Sequence, residues 1–293
     1  MNNSPAPYLT TLFRGCRVAL HLIYGALLAI AYPHLEQARR RRTLRQWNKQ
    51  LLGILNVGIQ IDGEVPTRGT GGFMLVANHI SWLDVLVLNA ICPARFIAKS
   101  EVRGLPFIGW LSRRTGNVCI ERAMRQDAAS NAASVNRHVR ELLEQGICVG
   151  LFPEGAATDG RQVGHFHSAL FQPAIDAGAR LRPTALRYRN ESGTTSTAAF
   201  TGDMSLLRSV WRILRCRQLN ALVAFTPALA TVGEHRRALA RAAQQAVAHE
   251  LLNIAPKRQT PEPALPFVLP QAALSAQSAY VLLLDPILNH LPK

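Results

Sequence analysis

The spacing of apolar and polar residues divides the chain into short apolar runs and longer helical repeats. Phe73 to Ala77 is an apolar run of strand length, and it ends where Asn78 and His79 arrive. Further strands are expected at Arg95–Lys99, Asn117–Glu121, Ile147–Phe152, Pro183–Tyr188 and Leu219–Thr226. Between them, Trp82–Ala90 and Asp127–Glu144 read as helices, the second from its Val135, Val139, Leu142 and Leu143 spacing. Pro106 opens a short helix and Glu234–Ile254 forms the last one. Leu51 to Ile61 leads into a turn at Asp62-Gly63, near which the core begins. Strands alternating with helices predict an α/β fold with a largely parallel sheet covered on both faces.

Two segments stand apart from this pattern. Val18–Tyr32 carries no formal charge, follows Arg14 and Arg17, and ends at Pro33. As a helix it reaches only about 22 Å against a hydrocarbon core of about 30 Å. It can lie in the interface, enter part-way, or span with help from its flanks. The Arg39–Arg42 run directly downstream argues against export and for the cytoplasmic side of a membrane. Met204–Arg217 is also amphipathic, with Leu206, Val210 and Ile213 opposite Arg208, Arg212 and Arg215. It is either a core-packing helix with a wet face or a membrane-surface helix. From Pro256 to Pro270, proline is frequent enough to mark a linker. The expected organisation is a basic membrane-associating helical region over 1–55, a catalytic-type domain over 56–255, and a Pro-rich linker and tail over 256–293.

Charge changes the picture of the first region. The chain has 293 residues and a net charge of +15. Residues 1–50 hold eight Arg or Lys against one acid, Glu36, and so carry +7 of that total. A cationic cluster beside an apolar helix suits anionic lipid headgroups. An RNA-binding arm would more often interleave aromatic residues, which make up only 6% of this chain, so nucleic acid fits poorly. The five cysteines are scattered, without a CxxC, and fit a reducing compartment rather than a disulfide framework or zinc ribbon.

Chemistry-bearing residues gather at strand ends: Asn78-His79 after the first, Glu121-Arg122 after the third, Glu154-Gly155 after the fourth. Asp84 lies five residues beyond His79. A carboxylate there can hold one imidazole nitrogen protonated and leave the other to take a proton from a hydroxyl. Ser81-Trp-Leu-Asp84 also fits a capping box, in which Asp84 satisfies a helix end. No G-x-S-x-G elbow, Walker A or G-x-G-x-x-G sequence occurs. His165 and His167 could face one way on a strand, but with no third ligand in view no metal is expected. What remains is general-base chemistry without a covalent enzyme intermediate.

These residues carry a resemblance. The chain resembles the glycerolipid acyltransferase family, whose type member acylates lysophosphatidic acid, through four blocks in order across roughly residues 60–230. Asn78-His79-x4-Asp84 matches the first block, and Gly116 to Arg122 resembles G-x-x-x-I-D-R with Glu121 for Asp. Phe152-Pro-Glu-Gly155 matches F-P-E-G, and Leu181-Arg-Pro-Thr-Ala185 resembles the fourth block. Lys99 and the Pro106/Gly109 pair also sit where family members carry an A-K-x-E-x…P-x-x-G stretch.

The resemblance implies an O-acyltransferase that moves an acyl group from an acyl thioester to a lysolipid hydroxyl. The acceptor would be 1-acyl-sn-glycerol-3-phosphate, and the donor acyl-coenzyme A or acyl-[acyl carrier protein], with no cofactor. His79 would be the general base and Asp84 its orienting partner. Arg122 and Lys99 would hold an anionic headgroup, with Asn78, Glu154 and Gly155 counted among the substrate-binding residues. One departure bears on the acceptor: Ala156-Ala157 stands where many members carry Thr-Arg, and that arginine is implicated in gripping phosphate. The Thr158-Asp-Gly160 continuation, with Phe166-x-Ser168-x-x-Phe171, looks more like the branch of lyso-ornithine-lipid acyltransferases. A non-enzymatic basic protein of membrane surfaces or RNA is the competing class, and it would need neither His79 nor Asp84.

Overall fold

The computed structural model describes residues 6–66, 72–99, 106–120, 128–191 and 197–254. Seven strands form one sheet: β1 (Val57–Asp62), β2 (Phe73–Ala77), β3 (Arg95–Lys99), β4 (Val118–Ile120), β5 (Val149–Leu151), β6 (Arg180–Asn190) and β7 (Leu219–Phe225). Their order is β1-β7-β6-β2-β5-β3-β4. Every neighbouring pair is parallel except β6 and β7, so the expected largely parallel sheet holds. The helices are α1 (Tyr8–Ala31), α2 (Gln37–Ile54), α3 (Leu83–Ile91), α4 (Pro106–Thr115), α5 (Ala128–Glu144), α6 (Gln172–Asp176), α7 (Leu206–Arg215) and α8 (Arg236–Asn253).

β2 explains why an unbroken apolar run makes a strand here. Leu75 and Ala77 enter one core, with residues of α2, α3 and α7, while Met74 and Val76 enter the other, with residues of α5 and α8. A strand buried on both faces has no polar position to alternate with. Its neighbours are β6 and β5, with Ala77 paired to Thr184 and Met74 to Val149. The carboxyl ends of β2 and β5 therefore lie side by side.

Three elements differ from the sequence expectation. β1 was not anticipated: Leu51, Leu52 and Ile54 close α2, Asn56 turns the chain at φ 56°, and the strand begins at Val57. Its outer half is exposed on a sheet edge, so it shows no strong apolar pattern. Arg39–Arg42, seen as a charge cluster, belongs to helix α2. The apolar helix starts at Tyr8 rather than Val18, so its 24 residues measure about 36 Å instead of about 22 Å. Arg14 and Arg17 sit inside it. Arg14 is accommodated because its guanidinium donates to the carbonyls of Leu214, Cys216 and Arg217, where α7 ends and its dipole is negative.

α1 packs by one stripe. Thr11, His21, Gly25 and Ala29 are buried, whereas Leu20, Ile23, Leu27 and Ile30 are 56–66% exposed. Gly25 is needed at the crossing with α2, since a Cβ there would fall 2.5 Å from the Trp47 ring nitrogen. His21 stacks on that same indole at 5.0 Å. Of the two readings of Met204–Arg217, core packing holds for Ser209, Ile213 and Leu214, which are buried, while Leu207 and Trp211 remain exposed.

Candidate active site

His79 follows directly on the end of β2, and its two ring nitrogens have different fates. Nδ1 lies 2.8 Å from Asp84 Oδ2. Because a carboxylate can only accept, the proton sits on Nδ1 and Nε2 is left with its lone pair. The side chain is 23% exposed while Asp84 is fully buried, so the accessible part of the pair is the imidazole. One face of the ring stacks on Phe152 at 4.3 Å, and Phe152 stacks in turn on Phe96 at 5.4 Å. Gly150 makes room for this wall, since a Cβ there would come within 2.4 Å of the Phe96 ring.

Asp84 is saturated with donors. Oδ2 also accepts the backbone N–H groups of Ile80 (2.7 Å) and Ser81 (3.0 Å), and Oδ1 accepts the Tyr188 hydroxyl at 2.8 Å. The capping and the histidine-orienting readings of Asp84 are thus both present in one carboxylate. The other half of the expected capping box is not: the Ser81 hydroxyl is buried and has no hydrogen-bond partner among the described residues, and Trp82 occupies the cap position. Tyr188 is fully buried; burial, then the Asp84 charge, pushes its hydroxyl well above the ordinary tyrosine range. It therefore stays protonated and donates a hydrogen bond to Asp84.

β5 brings the second group. The Phe152-Pro-Glu-Gly155 turn closes with a bond from the Gly155 N–H to the Phe152 carbonyl, and Gly155 adopts φ 74°, which favours glycine. Glu154 Oε1 accepts the backbone N–H of His79 at 3.1 Å. Burial raises the Glu154 pKa, opposed by the His79 and Gly164 amides. Its other oxygen, Oε2, is buried without a partner of hydrogen-bond geometry, although the Gly164 amide lies towards it. Beyond the turn, Thr158 donates twice to the His79 carbonyl, from its N–H (2.8 Å) and its hydroxyl (3.1 Å). The backbone of His79 is therefore fixed from both sides.

The remaining sequence candidates fall as follows. Asn78 is fully buried, and its amide both donates to and accepts from the Leu186 backbone, at 3.0 and 2.7 Å. It ties the end of β2 to β6 and so positions the residue after it. Lys99 ends β3, next to β5, but its side chain lies outside the described residues, as does the whole of Arg122. His165 and His167 meet edge-on at 5.5 Å, and among the described residues no three His, Cys, Asp or Glu groups gather as a metal site.

Comparison with known proteins gives this geometry a family. Residues 58–187 match the family model described as Acyltransferase. A lyso-ornithine lipid O-acyltransferase of Pseudomonas aeruginosa is 34% identical over 75% of this chain and 83% of its own length. The chain belongs to the acyltransferase family. A 1-acyl-sn-glycerol-3-phosphate acyltransferase of Neisseria meningitidis is similarly related, 33% identical over 77% of this chain and 86% of its own. Among solved structures, the 1-acyl-sn-glycerophosphate acyltransferase PlsC of Thermotoga maritima shares the fold with a TM-score of 0.64. It is 18% identical, over 84% of this chain and 94% of that one.

In this acyltransferase, sequence reasoning had no route to Tyr188, which meets Asp84 across 104 positions. The only signal was a tyrosine between Arg187 and Arg189, set by strand alternation on the opposite face from both. Tyr188→Phe is expected to leave Asp84 Oδ1 buried and unpartnered. That should lower stability by about 1–3 kcal/mol and turnover by about tenfold, read by denaturant melts and by initial rates at saturating acceptor. Unchanged stability would mean that the Tyr188 bond is not holding Asp84.

Proposed function

We propose that this acyltransferase moves a fatty acyl group from an acyl thioester to the hydroxyl of a lysolipid, with 1-acyl-sn-glycerol-3-phosphate as acceptor. The observation that carries the reading is the His79–Asp84 pair, Nδ1 to Oδ2 at 2.8 Å, at the carboxyl edge of a parallel sheet. The acceptor hydroxyl approaches Nε2 of His79, which takes its proton as the oxygen attacks the thioester carbonyl. The resulting imidazolium is stabilised by Asp84; as the tetrahedral adduct collapses and its C–S bond breaks, the departing thiolate takes that proton and leaves as the thiol, returning His79 to its neutral form. Glu154 acts by fixing the backbone N–H of His79, and Gly155 shapes the turn beside it. Arg122 and Lys99 supply the charge for the acceptor's headgroup, and either acyl-coenzyme A or acyl-[acyl carrier protein] serves as donor.

The alternative acceptor is lyso-ornithine lipid. It is favoured by Ala156-Ala157 in place of Thr-Arg and by the activity named for the Pseudomonas relative. A panel of both lysolipids, with thioester consumption and mass analysis of the product, separates them. Lysophosphatidic acid is expected to be used, and Arg122→Ala to cost at least about tenfold in its use, the worth of one charge-assisted bond. Ala157→Arg should improve lysophosphatidic acid and leave a carboxylate acceptor less affected. If neither change alters lysophosphatidic acid kinetics, Arg122 is not the headgroup ligand. Product from lyso-ornithine lipid alone would select the alternative.

The site is reached from a membrane surface. Tyr8–His34 is long and apolar enough to cross a bilayer. Yet one stripe of α1 packs on the domain, and Arg14 is tied to the end of α7. A helix held along one side suits an interfacial position on the cytoplasmic face, the other stripe facing lipid, together with the cationic residues of α2. Replacing Leu20, Ile23 and Leu27 by glutamine is expected to release most of the protein to the soluble fraction in a flotation assay. Full retention would assign the anchor to other residues.

A further inference from the structure

At the end of the sheet away from His79, where β3 and β5 begin, a cavity of about 720 Å³ opens between α2 and the end of α3. Two cysteines share its wall. Cys92 caps the carboxyl end of α3, its N–H bonded to the Leu88 carbonyl, and Cys148 directly precedes β5. Parallel pairing of β3 with β5 brings the two together. Arg95 is in register with Val149, and its backbone N–H donates to the Cys148 carbonyl at 2.9 Å. The Cys148 thiol donates to the Cys92 sulfur, and Cys92 Sγ in turn reaches the Pro66 carbonyl at 4.0 Å. Both side chains are buried, and neither is joined in a disulfide.

Two touching thiols on a cavity wall have a chemistry that a single thiol lacks. The reactive form of a cysteine is its thiolate. The bond from Cys148 holds the Cys92 thiol below its ordinary range; burial opposes this, and the charges of Arg41, Arg45 and Arg182 add to it. Cys92 is therefore the sulfur that reacts first, and Cys148 is placed to resolve the product. Two other described cysteines lack this arrangement. Cys16 is exposed on α1, while Cys216 donates to the Gln218 carbonyl and has its thiol pushed up by burial. Neither lines the cavity. The burial of Cys92 and Cys148 favours a small oxidant over a bulky disulfide, because exchange depends on access to the sulfur.

We propose that Cys92 and Cys148 are a peroxide-reactive pair, converted reversibly into a disulfide that ties the end of α3 to the start of β5. The Cys92 thiolate attacks one oxygen of hydrogen peroxide and the O–O bond breaks. Cys92 becomes a sulfenic acid, and the hydroxide released takes up the proton that Cys92 lost. The Cys148 sulfur then attacks that of Cys92, the S–O bond breaks, and the departing hydroxide leaves with the Cys148 proton as a second water. Two thiols are oxidised and one peroxide is reduced to two waters. A thiol reductant reverses the bond by exchange, so the pair suits a reducing compartment. The far ends of the two joined elements carry Asp84 and the Phe152-Pro-Glu-Gly155 turn. The pair itself does not depend on the acyl-transfer reading.

The test treats the reduced full chain, in neutral detergent, with one molar equivalent of hydrogen peroxide. Remaining thiols are alkylated and the digest is read by mass spectrometry. A linked Cys92–Cys148 peptide pair, two hydrogens lighter than its parts, should be the main product and should disappear with dithiothreitol. The same dose given in guanidinium should scatter links among the five cysteines, because the pairing belongs to the fold. Cys148→Ser should leave a Cys92 sulfenic acid that dimedone traps, and Cys92→Ser should consume peroxide at least about tenfold more slowly. C16S/C216S should form the link as the native chain does. Recovery of Cys92 and Cys148 as alkylated thiols beside an oxidised Cys16 would overturn the proposal, as would a link made chiefly to Cys119. A native pattern matching the one in guanidinium would overturn it too. Should a serine variant fail to fold by circular dichroism, the comparison of native and guanidinium-treated chain decides the question alone.

Discussion

His79→Ala is expected to reduce acyl transfer by about a thousandfold or more while the protein still folds. Removing a positioned general base typically costs between about a hundredfold and ten-thousandfold. The variant retains the bonds that fix this stretch, since both involve the backbone: the N–H to Glu154 and the carbonyl to Thr158. The ring is partly exposed, so its loss opens no sealed cavity, and Phe152 loses one stacking partner while keeping Phe96. The variant should therefore melt within a few degrees of the native chain and still associate with membranes. Thioester consumption by purified protein, paired with a thermal melt, checks both halves. Turnover close to native would remove His79 from the chemistry. It would also reopen the reading of the chain as a basic membrane-surface protein without catalysis.

What could be read from the sequence was local. His79 and Asp84 are five residues apart across one strand-to-helix turn, so their pairing follows from backbone geometry. Glu154 was reachable because β5, like β2, is a short apolar run ending in polar residues. Parallel neighbours bring such ends together. Three features needed the third dimension. β1 hides at an exposed edge, where burial no longer imprints a pattern. Asn78 looked like a ligand-facing amide, but its use is set by Leu186, 108 positions away. Tyr188 reads as a core aromatic until its hydroxyl is found against Asp84. The length of α1 was misjudged for a different reason. Arg14 and Arg17 looked like the end of an apolar helix, whereas the carbonyls at the end of α7 make a place for Arg14 within it.

Asp84→Asn is expected to lower turnover by about a hundredfold to a thousandfold, through charge rather than through the wrong tautomer. An asparagine has one accepting oxygen and one donating nitrogen, and the site dictates which goes where. The Oδ2 position faces the N–H groups of Ile80 and Ser81 as well as His79 Nδ1, so the amide oxygen must take it. The amide nitrogen then faces Tyr188, whose hydroxyl can turn to accept instead of donate. His79 keeps its proton on Nδ1 and Nε2 stays free, so the ground-state geometry survives. What disappears is the negative charge opposite the imidazolium that forms as the acceptor hydroxyl is deprotonated. In a fully buried position that attraction is only weakly screened. Nitrogen-15 NMR of the His79 ring should show the same tautomer in variant and native protein, while the rate falls with acceptor KM little changed. A switched tautomer would assign the loss to orientation instead. Native-like turnover would mean that the charge of Asp84 serves the helix end alone. Asp84→Asn and Tyr188→Phe both weaken one contact, the Tyr188 hydroxyl on the residue-84 side chain. The double variant should therefore lose less stability than the sum of the two single changes, because the charged acceptor that Tyr188→Phe strands is no longer there.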